Sequence, residues 1–256
     1  MKNFIPITQE TFVRLRRDRI FLPASIAGIG LIILSAFASY WGVEEFFKIL
    51  YDLGTTVYHF TGATVAIFWG IKIIQDSRQE GSLEVQLASP VGRSEWLLAK
   101  YTGLATALGS LAVLFICGWQ CVYFAYGMGW MGWNQFGIFA LLTLSWLVVG
   151  ASSILMSIMA TYAVALFASF WLFAVGLLTA PLMQSMAPDT PQHIRQFINS
   201  LAGLWNLHYF NLFEIGANQQ NLDPGMIGER LAYATALIGF CLGLGAFIFR
   251  KKDLAN

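Results

Sequence analysis

Apolar residues fill six long stretches of the chain, at about 20–40, 53–74, 97–126, 136–157, 163–183 and 231–249, and polar residues crowd into the gaps. Each stretch is near the roughly 20 residues a helix needs to cross a bilayer core. The runs are continuous and lack the period-two alternation of barrel strands, so membrane helices are predicted. Only Ser157–Tyr162 separates the fourth and fifth stretches, and it carries no charge. Together they are too long for one crossing, so two passes are predicted.

Shorter patterns occupy the gaps. Residues 7–19 set Phe12, Val13 and Leu15 among basic side chains, which fits a helix on the membrane surface with its cations near anionic headgroups. A disordered basic anchor fits the same residues. In the 184–230 segment, Pro188 and Pro191 break any continuing helix. Ile194, Phe197, Ile198, Leu201 and Trp205 then recur at helical spacing, so a short amphipathic helix is expected to lie on the membrane or cap the bundle. Trp205, Tyr209, Phe210 and Phe213 suit an interfacial aromatic belt or packing against neighbouring helices. Ala36-Phe37-Ala38 has the form of a signal-peptide cleavage site, but the apolar run before it is longer than usual, and a retained first span is expected.

Composition narrows the class. The chain is 57% hydrophobic and 11% charged, whereas charge makes up about a quarter of an ordinary soluble domain. No Asp, Glu, Lys or Arg occurs from Tyr101 to Pro188. As one helix that stretch would run roughly 130 Å at about 1.5 Å per residue, so it must fold back within the membrane. Of the 15 Lys and Arg, all but Lys48, Arg195 and Arg230 lie at the amino terminus, between Lys72 and Lys100, or at the carboxyl terminus. With six spans these three regions share one side, expected to be the cytoplasm of a bacterial inner-membrane protein with both termini inside. The predicted fold class is therefore an all-α polytopic membrane protein, residues 1–256 forming one transmembrane domain.

Candidate chemistry is sparse. The chain has no GxxxxGK[ST] phosphate loop, no HExxH helix and no GxSxG elbow, so ATP binding or hydrolysis by those devices is excluded. No catalytic residue, bound cofactor, metal or nucleic-acid partner is expected. His59 lies within the second span as a hydrogen-bonded packing residue or, alternatively, a ligand or proton group. Cys117 and Cys121 share a helical face, where they are two small buried residues or a thiol pair for a soft metal. Thr235, Gly239 and Gly243 form a small-residue stripe that permits close helix approach within or between subunits. The uncharged interior suits a lipid-like or amphipathic cargo, and equally suits lipid-facing helices. An ion-coupled carrier would need intramembrane charges that this region lacks; an integral-membrane enzyme or scaffold is the other alternative.

The remaining charged stretch, Asp76 to Tyr101, separates spans two and three. Arg78, Glu80, Glu84, Arg93, Glu95 and Lys100 carry charges of both signs, and Leu83, Val85, Leu87 and Val91 offer apolar contacts. Gly81-Ser82 can start a short helix and Pro90 can end it. A solvated loop satisfies the same pattern.

From about Phe47 to Gly103 the chain resembles permeases of type-2 ATP-binding-cassette (ABC) transporters, especially the class that includes the permease for nitrous oxide reductase maturation. The resemblance rests on Asp52-Leu53-Gly54, Asp76, Glu80, the run Leu87-Ala88-Ser89-Pro90-Val91-Gly92-Arg93-Ser94-Glu95, and Lys100-Tyr101. It departs from the usual pattern at Asp76, where Glu is common, and at Gly81-Ser82. It implies a membrane subunit that pairs with a second copy or a related permease and with separate cytoplasmic ABC ATPase subunits. ATP and Mg would be bound by those ATPases alone. Residues 76–95 would be the cytoplasmic coupling helix, with Asp76, Arg78, Glu80, Leu83, Glu84, Leu87, Pro90, Val91, Arg93, Glu95 and Lys100 as its coupling residues. The amino-terminal helix would lie beside the ATPase. Export or the transmission of force across the membrane, membrane lipid as a partner, and an outside or periplasmic partner are further implications, and copper or sulfur cargo is associated with the nearest-looking members.

Overall fold

A computed structural model describes residues 4–40, 46–79, 92–186, 191–212, 215–216, 218 and 220–251. Among them every regular element is helical: α1 Phe4–Arg16, α2 Phe21–Ser39, α3 Phe46–Gln79, α4 Arg93–Ala125, α5 Trp133–Met159, α6 Tyr162–Ser185, α7 Gln192–Leu204, a 3-10 turn His208–Phe210 and α8 Pro224–Lys251. Six of these, α2, α3, α4, α5, α6 and α8, are long and apolar enough to cross a membrane. The uncharged region divides at Ala160 and Thr161, two extended residues between α5 and α6, so both passes exist. At its other end, α5 is joined to α4 by a turn in which Gly127 and Gly129 adopt positive φ of 70° and 78°. The Gly127 and Met128 N–H groups donate to Phe124 O and Tyr123 O, closing α4 where a side chain bearing Cβ would be strained.

The bundle is built on α3. Gly54, Gly62 and Gly70 recur every eight residues and present a shallow face. A Cβ at Gly54 would lie 2.0 Å from the Trp119 indole, one at Gly62 1.9 Å from Trp146, and one at Gly70 2.9 Å from Gly150 O. Large rings on α4 and α5 therefore seat directly on the α3 backbone, and small residues give close approach in a membrane where burial of apolar surface drives little association. Tyr58 fills the centre, its ring 4.4 Å from Trp146 and 5.0 Å from Phe139, and its hydroxyl 2.7 Å from Thr143 Oγ1. Polar groups at this depth find partners for the same reason. Ser145 Oγ donates to Leu142 O at 2.6 Å and thus accepts from His59 Nε2 at 2.8 Å. That bond joins His59 of α3 to α5 inside the packed centre.

The amino-terminal helix differs from an element lying free on headgroups. It buries Ile7, Thr11 and Leu15 against α4, and the face at Gly103 is flat enough that a Cβ there would meet Thr11 at 2.6 Å. Arg16, Arg17 and Arg19 stay exposed.

Within the expected 184–230 outside segment, the middle packs on α6. Trp205 Nε1 donates to Leu172 O at 2.8 Å and Leu207 N to Gly176 O at 2.9 Å. Both acceptors lie inside α6, about 15–21 Å from its start at about 1.5 Å per residue. Phe210 is fully buried, and Trp205 and Tyr209 are half-buried, so these three aromatics pack on helices instead of forming a belt; Phe213 lies outside the described residues. Arg230 of α8 holds the segment, donating from Nε to Tyr209 O at 2.9 Å with its guanidinium 4.4 Å from the Tyr209 ring centroid.

Candidate functional site

The site of interest is the end of the bundle where α1, the close of α3 and the start of α4 meet. Of the residues expected to act there, Glu80, Leu83, Glu84, Leu87, Pro90 and Val91 lie outside the described residues, while Asp76, Arg78, Arg93, Glu95 and Lys100 flank that stretch on both sides.

On the α3 side, Asp76 pairs with Arg14 of α1 at 3.5 Å, and one turn earlier Lys72 pairs with Asp18. These pairs and the buried Lys100 line a single crevice between α1, α3 and α4. Lys100 Nζ also sits 5.5 Å from the Trp96 ring centroid, within cation–π range. The ion pairs tie α1 to α3 in addition to its packing on α4.

Arg78 points elsewhere. Its Nη2 donates to Ile158 O at 3.0 Å, at the carboxyl end of α5. Gln75 Nε2 reaches the same place, 3.2 Å from Ala160 O and 3.3 Å from Ser157 O. Arg93, on the other side of the undescribed stretch, donates from Nη1 to Phe249 O at 3.0 Å, near the carboxyl end of α8. Trp96 stacks on Phe249 at 5.6 Å and 9°. The last carbonyls of a helix lack intrahelical donors and carry its negative pole, so a guanidinium there is favoured by both hydrogen bonding and charge. Arg78 and Arg93 thus each reach the carboxyl end of another helix, α5 and α8 respectively. Glu95 has a different setting: with Phe4, Ile5, Ser94 and Leu98 it lines a mostly apolar cleft of about 520 Å³ between α1 and α4.

The charge pattern pointed to Asp76, Arg78, Arg93, Glu95 and Lys100 but missed Arg14, Asp18, Lys72 and Gln75. Lys72 and Asp76 are four apart on one helix, the spacing that brings charged neighbours together, and were open to that reading. The partnership of Arg93 with Phe249 joins distant parts of the chain and has no local signal.

The other candidates resolve differently. Cys117 and Cys121 are exposed along an apolar groove of about 700 Å³ between α2 and α4, whereas Cys241 is buried. Among the described residues no three His, Cys, Asp or Glu side chains converge as a metal site. Gly239 and Gly243 have no neighbouring atoms within 4 Å of an added Cβ, so the small-residue stripe of α8 is unused within the protomer.

Six membrane-crossing helices around a tightly packed centre, with a charged crevice at one end, define a multi-pass helical membrane protein. The family model described as ABC-2 family transporter protein matches residues 16–254, and the chain belongs to that family. No curated protein matches it. It is accordingly a permease subunit of an ABC transporter, a membrane component whose family works with a partner ATP-binding subunit.

Proposed function

We propose that the chain is one half of an ATP-driven exporter whose motor is a separate cytoplasmic ATPase acting on residues 76–95. Arg78 and Arg93 support this reading most directly. They bracket the segment and bond to the carboxyl ends of α5 and α8, at 3.0 Å each. A displacement of the segment is thereby delivered to two further spans, while α3 and α4 receive it through the covalent chain. The carboxylates of Glu80, Glu84 and Glu95 set the register of docking, and Leu83, Leu87 and Val91 supply the burial. The cleft beside Glu95 gives the ATPase a foothold that includes α1. ATP and Mg stay with the ATPase; its closure and reopening shift the permease between inward- and outward-open populations.

The protomer itself leaves no room for cargo at its centre, where Tyr58, Phe115, Trp119, Phe139 and Trp146 are fully buried against one another. The passage therefore runs along an outer face and is completed by a second copy or a related permease. The clustering of basic residues supports a cytoplasmic α1 end, and the resemblance to the nitrous oxide reductase maturation class favours outward movement.

The test is co-expression with the ATP-binding protein encoded beside it, purification through a tag on the permease, and ATP turnover in nanodiscs. Co-elution and turnover that rises when the permease is present are expected. An ATPase that neither binds nor responds overturns the reading.

A further inference from the structure

Three arginines crowd the junction of α1 and α2. Arg16, Arg17 and Arg19 are exposed, and among the described residues none of them has a carboxylate partner. The acids near enough to neutralise them are taken by other cations. Asp18, in their midst, turns inward: its side chain is 4% exposed, Oδ1 accepts from Ile20 N at 2.9 Å, and Oδ2 pairs with Lys72 of α3. Asp76 is held by Arg14 at 3.5 Å. Once these two pairs are made, the positive charge left at the junction is that of Arg16, Arg17 and Arg19.

The junction is fixed both in path and in level. Asp18 N donates to Leu15 O and Phe21 N to Asp18 O, each at 3.1 Å, and the Asp18–Lys72 pair fastens the turn to α3. From Phe21 the chain enters α2, which is 19 residues long with a mean hydropathy of 2.1. At about 1.5 Å per residue α2 is about 28 Å, the thickness of a bilayer core, so the residues just before it stand at headgroup level. A guanidinium matches a phosphate with paired hydrogen bonds, and a backbone already held in place spares the cost of ordering the site. We propose that Arg16, Arg17 and Arg19 form a binding site for the phosphate of anionic phospholipids in the leaflet on the α1 side. A contact with the ATPase fits the position less well. α1 runs beside α4 in the same direction, with Phe4 and Ile5 at Ser94 and Glu95, Thr8 Oγ1 3.3 Å from Ala99 O, and Thr11 against Gly103. The arginines therefore lie at the end of α1 away from the cleft beside Glu95, Arg16 being about 18 Å along the helix from Phe4. The site requires only that α2 cross the membrane and is independent of the exporter reading.

Lipid titration followed by native mass spectrometry tests this on the full permease, delipidated in a non-ionic detergent. Phosphatidylglycerol is expected to bind at least ~10-fold more tightly than phosphatidylcholine, and the preference to shrink as salt is raised. Each arginine near an anionic surface contributes about fivefold, so the combined Arg16→Gln, Arg17→Gln and Arg19→Gln variant is expected to lose on the order of 100-fold in phosphatidylglycerol affinity. Its phosphatidylcholine affinity should hold. Arg14→Gln, whose charge is already spent on Asp76, is expected to bind both lipids as the wild type does. If the combined variant does not fold, the three single variants serve in its place, each with a loss of about fivefold. An unchanged preference in these variants overturns the inference, and so does a loss in Arg14→Gln equal to that of the single variants, which would show a general effect of charge. Displacement of the lipid by inorganic phosphate at equal concentration also overturns it, by making the turn a site for soluble anions. So does a combined variant that keeps its lipid preference but no longer retains the ATPase, since the turn is then a protein contact.

Discussion

The helices at the centre of the bundle and those at its rim are all apolar, yet they are held in different ways. In α3 and α5, 67% and 78% of the most apolar window is buried within the protomer, against 28% in α2 and α6 and 22% in α8. Hydropathy does not separate them, since α8 and α5 have the same value of 2.0 to within 0.1. What separates them is where bulk meets absence of bulk: Trp119 and Trp146 meet glycines on α3, whereas Trp171 and Phe240 meet no comparable partner and are 63% and 66% exposed. The centre is thus closely packed within the protomer, and the rim helices keep most of their apolar surface exposed.

That contrast is broken most severely at Gly62. Gly62→Val would drive a side chain into the Trp146 indole, and a loss of more than ~3 kcal/mol, or no folded protein at all, is expected by thermal unfolding in detergent. A tolerated valine would mean that the centre is not close-packed. Next in size is Arg230→Met, which strips hydrogen bonds from Tyr209 O and Met226 O. About 2 kcal/mol is expected, seen as faster amide exchange confined to residues 205–212. Ser145→Ala removes the acceptor for His59 and should lower stability by about 1–2 kcal/mol, with His59→Phe adding little once Ser145 is gone. At the rim, Gly239→Val and Trp171→Ala should each leave protomer stability within about 0.5 kcal/mol. If Gly239→Val nonetheless prevents two permeases from cross-linking, the open stripe on α8 is where they meet.

Much of this was legible in sequence because the membrane imposes a simple rule. Long uncharged runs must be helices, and the charge-free stretch from Tyr101 to Pro188 had to turn back on itself. The turn at Ala160 and Thr161 was findable even though it bears no charge. The Asp-Leu-Gly of residues 52–54 and the Pro-Val-Gly-Arg of residues 90–93 carried the family. Packing after α7 was not legible: its amphipathic period does not show that Trp205 and Leu207, which follow it, bond to Leu172 and Gly176 of α6. Nor could spacing show that Arg78 and Arg93 turn inward, because their acceptors are backbone carbonyls that any residue provides.

The coupling assignment is tested most directly at Glu84 and Leu87. The full permease carrying Glu84→Lys and Leu87→Asp, co-expressed with its ATPase and reconstituted, should melt at the wild-type temperature. Its ability to retain the ATPase and stimulate ATP turnover should fall at least ~10-fold, the scale expected when a charged and an apolar contact are lost from one interface. Retention and turnover equal to wild type would contradict the claim that residues 76–95 are where the motor acts.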